Sequence, residues 1–438
     1  MAVSLSIVEF IKRISIESFA ITVTAKNDAR ERDFNICFTL TLLACVGVAT
    51  ILFVSSELIA ALLHSPQIAT ALRYVSGLLI TLGLSRTHEA WLARHMMFKV
   101  LAIRSLVSVA LGGATAIAMA IGGFGIWSLV GQQLVTGISA LALLWATTPW
   151  RPKLLFDREG MLENIRYARF VSITGMWSFM SAEADIFFVS TFLGSFVAGL
   201  YNAAKRIMMA ANHFMTNAIN RVAISAFATL KSDEERANML LSGVAMVSLI
   251  TAPAFAGLAV LAPEIVSILL GPSWSQTTPI LACLAASGYA LSLGQFNSVV
   301  FMVSGKPNYD SGYTFIAAIA NIILFLIAVR YGVIALALSF TVRLFLLAPL
   351  STHSALRILG IKGVTYIWRV LPSCLAAITM ALIVQYIITL VPHWPVLIRL
   401  MVGAGFGAMI YLVFVWCVDR ANLIKLMTLV YHTMVASK

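Results

Sequence analysis

Apolar runs of about twenty residues, each long enough to cross a bilayer as a helix, follow one another along this chain with only short polar breaks. They fall at 34–62, 71–93, 101–121, 124–147, 170–194, 199–220, 238–262, 276–303, 311–330, 332–352, 366–391 and 396–418. The pattern predicts an all-α, polytopic membrane protein. A further segment, 3–23, sets Glu9, Lys12, Arg13 and Glu17 inside an apolar frame. Glu9, Arg13 and Glu17 stand four residues apart and can neutralise one another on one helix face. That segment is either a further span, making about 13, or an amphipathic helix lying on the membrane surface.

The breaks orient the spans. Alternate connections carry Lys26, Arg30 and Arg32, then Arg94 and Lys99, then Arg151, Lys153, Arg158, Arg166 and Arg169, then Lys231 and Arg236, Lys306, Arg357, Lys362 and Arg369, and last Arg420, Lys425 and Lys438. The other set holds little beyond Arg73, Arg330 and Arg399. Basic loops stay cytoplasmic, which puts the C-terminus inside and requires an even number of spans between 34 and 418. By the same logic a spanning helix at 3–23 enters from outside, as though an upstream helix preceded it.

Composition narrows the reading. With 60% hydrophobic and 11% charged residues and a mean hydropathy of +0.94, the 438-residue chain lies outside the soluble globular range. Its net charge of +12 is spread over loops and not gathered on one polar face, so it points away from nucleic acid. Cys37, Cys45, Cys283, Cys374 and Cys417 are scattered singly and read as packing residues. The start of the chain has no basic n-region or convincing cleavage site for a signal peptide.

The most informative polar residues lie in Phe170–Ala210. One apolar arm carries Glu183 and Asp185, a turn is expected over Gly194–Gly199, and the second arm carries Lys205 and Arg206. At about 1.5 Å per residue, Asp185 and Arg206 reach similar depths, so Asp185 is expected to pair with Arg206. Ionisable groups inside a span cost about 3 kcal/mol each by insertion scales and face a bundle interior or a wet cavity. The hairpin is therefore expected to line a transport cavity. Arg343, near the middle of 332–352, joins Arg206, Lys205 and Arg13 as candidate ligands for an anionic substrate, because guanidinium holds phosphate oxygens through two parallel hydrogen bonds. Asp185, with Glu183, is either a structural counter-ion or a proton or cation site.

Catalytic and cofactor signatures are missing. There is no phosphate-cradling G-x-x-x-x-G-K-[ST], no H-E-x-x-H and no paired cysteines, and no G-x-S-x-G elbow. No metal, no cofactor and no enzyme activity is expected. His213 is the one histidine expected inside a span. Gln132, Gln133, Gln295, Asn297 and Asn321 suit sugar hydroxyls and helix–helix hydrogen bonds equally.

The polar connection 148–169 marks a boundary, and a weak repeat supports it. IGGFGIWSLVGQQLV at 121–135 resembles VRYGVIALALSFTVR at 329–343, with Gly125 matching Gly332 and an aromatic residue before each. Parallel repeats of this kind are a common transporter plan.

Three segments, LARHMMFKVLAIRSLVSVALGGATAIAMAIGGFGIWSLVGQQLV (92–135), ADIFFVSTFLGSFVAGLYNAAKRI (184–207) and VSILLGPSWSQTTPILACLA (266–285), resemble the bacterial polysaccharide flippases of the multidrug/oligosaccharidyl-lipid/polysaccharide exporter superfamily. The resemblance implies two pseudo-repeated helical lobes in a V, at 1–150 and 151–355, followed by two additional C-terminal helices in 356–438. It implies export of undecaprenyl-diphosphate-linked oligosaccharide across the inner membrane, with the glycan lipid and membrane lipids as partners alongside polysaccharide polymerase and export machinery. Asp185, Gly194, Gly199, Tyr201 and Ala204 match the family pattern. Family members usually open with a full helix before the point where this chain starts, which suggests a misplaced start codon or a truncated copy. Two other functions stay open on sequence: a multidrug/cation antiporter of the same superfamily, and a membrane glycan polymerase or ligase.

Overall fold

The computed structural model describes residues 30–62, 67–95, 97–125, 127–229, 232–304 and 306–418, with Phe19 and Val23. The rest of the 3–23 segment, including Arg13, and the tail from 419 lie outside the described residues. Thirteen α-helices follow one another among the described residues: α1 Glu31–Leu62, α2 Gln67–Arg94, α3 Phe98–Ile121, α4 Trp127–Thr147, α5 Arg158–Leu193, α6 Ser195–Thr229, α7 Asp233–Val260, α8 Ala262–Leu269, α9 Thr277–Val303, α10 Pro307–Ala328, α11 Val333–Ile358, α12 Gly363–Leu390 and α13 Val396–Val418. Every long helix overlaps one of the apolar runs. Nine of them, all but α2, α5, α6 and the short α8, are long and apolar enough to cross a membrane. The three long exceptions each carry several charged residues along their length. This is a multi-pass membrane protein.

Two helices are longer than the apolar pattern suggests. α5 takes in the polar stretch before residue 170 and runs for 36 residues, about 54 Å, because no proline interrupts it. α6 runs to Thr229, well past the expected end near 220. Where helices do stop, the sequence supplies the device. Ser232 and Glu235 form a reciprocal capping box at the start of α7, and Pro307 opens α10 at a position that needs no N–H. Gly125 (φ +54) and Gly332 (φ +93) both take positive φ shortly before a helix, in the α3–α4 and α10–α11 connections.

The chain divides into two compact units, 1–183 and 184–438; the sequence-based boundary at 150/151 falls inside the first. In the first unit α1 packs on α2, α3 on α4, and α4 on α2. Cys45, Ala49, Leu52, Leu78 and Leu79 form the α1–α2 core. Small residues allow close approach: a Cβ on Gly112 of α3 would lie 2.9 Å from the Gln132 carbonyl of α4. The connection after α4 is stitched to α1, with Lys153 N–H donating to Asn35 Oδ1 (3.0 Å) and Leu155 N–H to Thr39 Oγ1 (2.9 Å).

In the second unit α9 is the central helix, packed on α6, α7 and α11. Leu240, Val244, Phe296, Val300 and Leu356 fill one core there. The two C-terminal helices join the same unit, α12 on α7 and α13 on α12, through a second core that includes Leu249, Ala377, Met380 and Tyr411. Polar side chains tie the helices together: Asn212 Nδ2 donates to the Gly288 carbonyl (2.9 Å) and to Ser292 Oγ (2.8 Å). Asn297 Nδ2 donates to Ser351 and Thr352 of α11, and Gln295 Nε2 donates to Asn212 Oδ1 of α6. Gln295 and Asn297 thus serve as helix–helix bonds.

Candidate functional site: a buried charge cluster at the α5–α6 hairpin

Gly194 (φ +90) alone separates α5 from α6. A glycine supplies that backbone conformation without the steric cost of a Cβ, and the chain reverses so sharply that residues 20 positions apart meet. Asp185 lies about 14 Å before the turn and Lys205 about 16 Å after it, measured along the helices. Lys205 Nζ stands 2.9 Å from each Asp185 carboxylate oxygen. Tyr201 donates its hydroxyl to Asp185 Oδ2 at 2.6 Å, and the Ile186 N–H donates to Oδ1 at 2.9 Å. Tyr201 and Lys205 share a helix face because they are four residues apart, within a buried stripe that also contains Ala198, Ala204, Met208 and Asn212.

The cluster extends to α11. Phe340 presents its ring to two cations, with Lys205 Nζ 5.4 Å and Arg343 Cζ 5.1 Å from its centroid. Such contacts contribute about 0.5–2 kcal/mol each, more when desolvated. Arg343 is 3% exposed, and Tyr313, Asp185 and Tyr201 lie close enough to act on it electrostatically. Two basic side chains, one of them paired with the Asp185 carboxylate, therefore share a single aromatic ring.

The first unit contains a second charge cluster that hydropathy alone passes over. Glu89 of α2 accepts from Arg86 at 2.9 Å through Oε2 and from Arg104 of α3 through Oε1. Their side chains are 18–22% exposed. On the adjacent position His88 is buried, its ring 5.0 Å from Trp145 and 5.1 Å from Trp150.

A family model described as polysaccharide biosynthesis protein matches residues 1–279, more than half of the chain. The chain belongs to the polysaccharide biosynthesis protein family. It is 27% identical over 441 residues to the succinoglycan biosynthesis transport protein ExoT of Rhizobium meliloti (strain 1021), covering 98% of this chain and 87% of that protein. It is 21% identical to the lipopolysaccharide biosynthesis protein WzxC of Escherichia coli (strain K12), covering 72% of this chain and 64% of that one. Among solved structures, the lipid II flippase MurJ in an inward closed conformation matches with a TM-score of 0.76 at 15% identity, covering 96% of this chain and 90% of that one. An inward-facing multidrug resistance MATE family transporter matches with a TM-score of 0.65 at 13% identity, covering 82% and 88%. These structures share the fold.

In this polysaccharide biosynthesis protein the sequence-predicted residues separate into groups. Asp185, Lys205 and Arg343 come together. The expected Asp185–Arg206 pair does not form: Asp185 takes Lys205, and Arg206 is exposed. The reason is the turn, which is one residue long and not the six of Gly194–Gly199, so α6 starts earlier and its 201/205 face meets α5 while residue 206 lies about 100° around the helix. Glu183 belongs to the first unit; Arg13 lies outside the described residues. His213 is exposed, and the buried histidine among the described residues is His88. Sequence reasoning missed Arg86, Glu89 and Arg104; the signal was the i, i+3 spacing of Arg86 and Glu89 within α2 and an arginine six residues into α3.

Proposed function

We propose that this protein translocates undecaprenyl-diphosphate-linked oligosaccharide repeat units across the bacterial inner membrane for polysaccharide biosynthesis, with its C-terminus in the cytoplasm and a polysaccharide polymerase and export machinery acting next. The observation that carries this reading is similarity over nearly the whole chain to a succinoglycan biosynthesis transport protein. The buried cluster suits such cargo. Asp185 neutralises Lys205 at close range, while Arg343 and the exposed Arg206 supply guanidinium groups whose fork matches phosphate oxygens. Glu183 and Asp185 are assigned as ion-coupling or counter-ion groups, and Arg13 as a further cation. The chain from 1 to 150 and from 151 to 355 forms the two lobes in this account, with 356–438 as an addition.

The test is a chromosomal deletion complemented by Arg206→Ala. Surface polysaccharide should be lost and lipid-linked repeat units should accumulate at the inner leaflet, with the amount of protein in the membrane unchanged. Normal polymer output from that strain would reject the assignment of Arg206. Failure of the wild-type gene to clear the accumulated glycan lipid would reject the transport reading itself. A cationic drug as cargo would meet the two buried cations at Phe340 unfavourably, and unchanged drug susceptibility in the deletion strain is expected.

A further inference from the structure

We propose that Arg104 anchors a phosphate-binding subsite in the first unit, positioned by Glu89; the assignment of a lipid diphosphate as its occupant rests on the transport reading above. α3 buries little of its surface. Only Ser108 and Gly112 are fully buried on it, four and eight residues beyond Arg104, so Arg104 lies on the stripe that faces the interior of its unit. The guanidinium is attached at one end only: Nη1 donates to Glu89, while Nε is buried without an acceptor among the described residues. Glu89 is not given to Arg104 alone, because its second oxygen accepts from Arg86. One carboxylate is thus divided between two guanidinium groups.

A buried N–H donor without an acceptor is costly, and a phosphate oxygen is the acceptor that the planar fork fits best. The Arg104 side chain remains 18% exposed, enough to be reached. Arg104 sits about 9 Å along α3 from its start, at the end of the helix next to Arg94 and Lys99, which the loop charges assign to the cytoplasm. On the orientation taken from the loop charges, that end of α3 is the one nearest the headgroups of the inner leaflet. Phosphate here has two sources: the diphosphate of a polyprenyl-linked glycan, or an ordinary phospholipid headgroup.

The experiment measures binding to the full chain in nanodiscs, with inorganic pyrophosphate, undecaprenyl diphosphate and phosphatidylglycerol as separate probes, read as ligand-induced thermal stabilisation. Pyrophosphate and undecaprenyl diphosphate should bind the wild type, with affinity falling about tenfold or more in Arg104→Gln. Arg104→Lys, which keeps the charge and loses the fork, should fall between. Glu89→Gln decides between a binding and a purely structural triad: it removes the negative charge that both arginines share and should bind pyrophosphate more tightly, whereas a structural triad loses stability without any gain in binding. Wild-type affinity in Arg104→Gln would overturn the proposal, and so would binding of phosphatidylglycerol alone. The complementation assay separates the two layers. If wild type clears the glycan lipid while Arg104→Gln binds normally, the subsite falls and the transport reading stands; if binding depends on Arg104 but wild type does not complement, the subsite stands and the transport reading falls.

Discussion

Lys205 and Asp185 form a bidentate ion pair in which both side chains are almost completely buried, at 4% and 0% exposure. Removing one partner of such a pair leaves the other charge buried and uncompensated, which costs about 3–5 kcal/mol, whereas replacing both with apolar groups is often close to neutral. Asp185→Ala should therefore lower the unfolding temperature of the detergent-solubilised protein strongly, and Asp185→Leu combined with Lys205→Met should recover most of the loss. A double-mutant cycle on thermal unfolding measures the coupling. Equal stability of Asp185→Ala and wild type would mean that the pair does not hold the hairpin.

Gly288 and Phe255 illustrate a different constraint. A Cβ on Gly288 would sit 2.1 Å from Phe255 Cε1, and Phe255 is itself only 2% exposed, so the ring has little room to retreat. Gly288→Ala should cost about 1–3 kcal/mol by overpacking. Adding Phe255→Leu should return part of that stability, and thermal unfolding of the single and double variants checks it. A Gly288→Ala protein as stable as wild type would show that α9 can shift away from α7.

The helical architecture was legible because hydropathy has a long period and the bilayer sets its length; the twelve runs between 34 and 418 each overlap a long helix. The pairing at the hairpin was not. It depends on whether a turn takes one residue or six, and Gly194 and Gly199 look alike in sequence while only Gly194 adopts positive φ. A difference of that size moves the inward face of α6 from Arg206 to Lys205. Helix extent was similarly hidden, since the charged residues of 158–169 read as a short amphipathic helix of their own, whereas nothing in them separates it from the span that follows and the two form one helix.

Gly332 lies at φ +93, ψ −178 before α11, a region open essentially to glycine alone and costing other residues about 1–3 kcal/mol. Gly332→Ala should lose stability on that scale. Gly312 of α10 is the control: a Cβ added there would meet no atom within 4 Å, and its backbone is ordinary helix. Alanine at that position should be neutral or stabilising by up to about 1 kcal/mol. Both variants are read by thermal unfolding, and a harmless Gly332→Ala would remove the strain argument for the α10–α11 turn.

Arg343 separates stability from transport. Its guanidinium stacks on Phe340 three residues earlier in the same helix, so a long apolar replacement preserves much of the packing while removing the charge. In Arg343→Met the amount of protein in the membrane should stay near wild type, because burying a methionine costs less than burying a cation. Glycan-lipid flux should nevertheless fall about tenfold or more if the guanidinium holds a phosphate through charge-assisted hydrogen bonds. Arg343→Lys should restore part of the flux, since it keeps the charge but offers no planar fork. Labelled repeat units followed from the inner leaflet into polymer measure all three strains against wild type. Flux in Arg343→Met equal to wild type would confine Arg343 to a packing role and leave Arg206 as the remaining guanidinium at the hairpin.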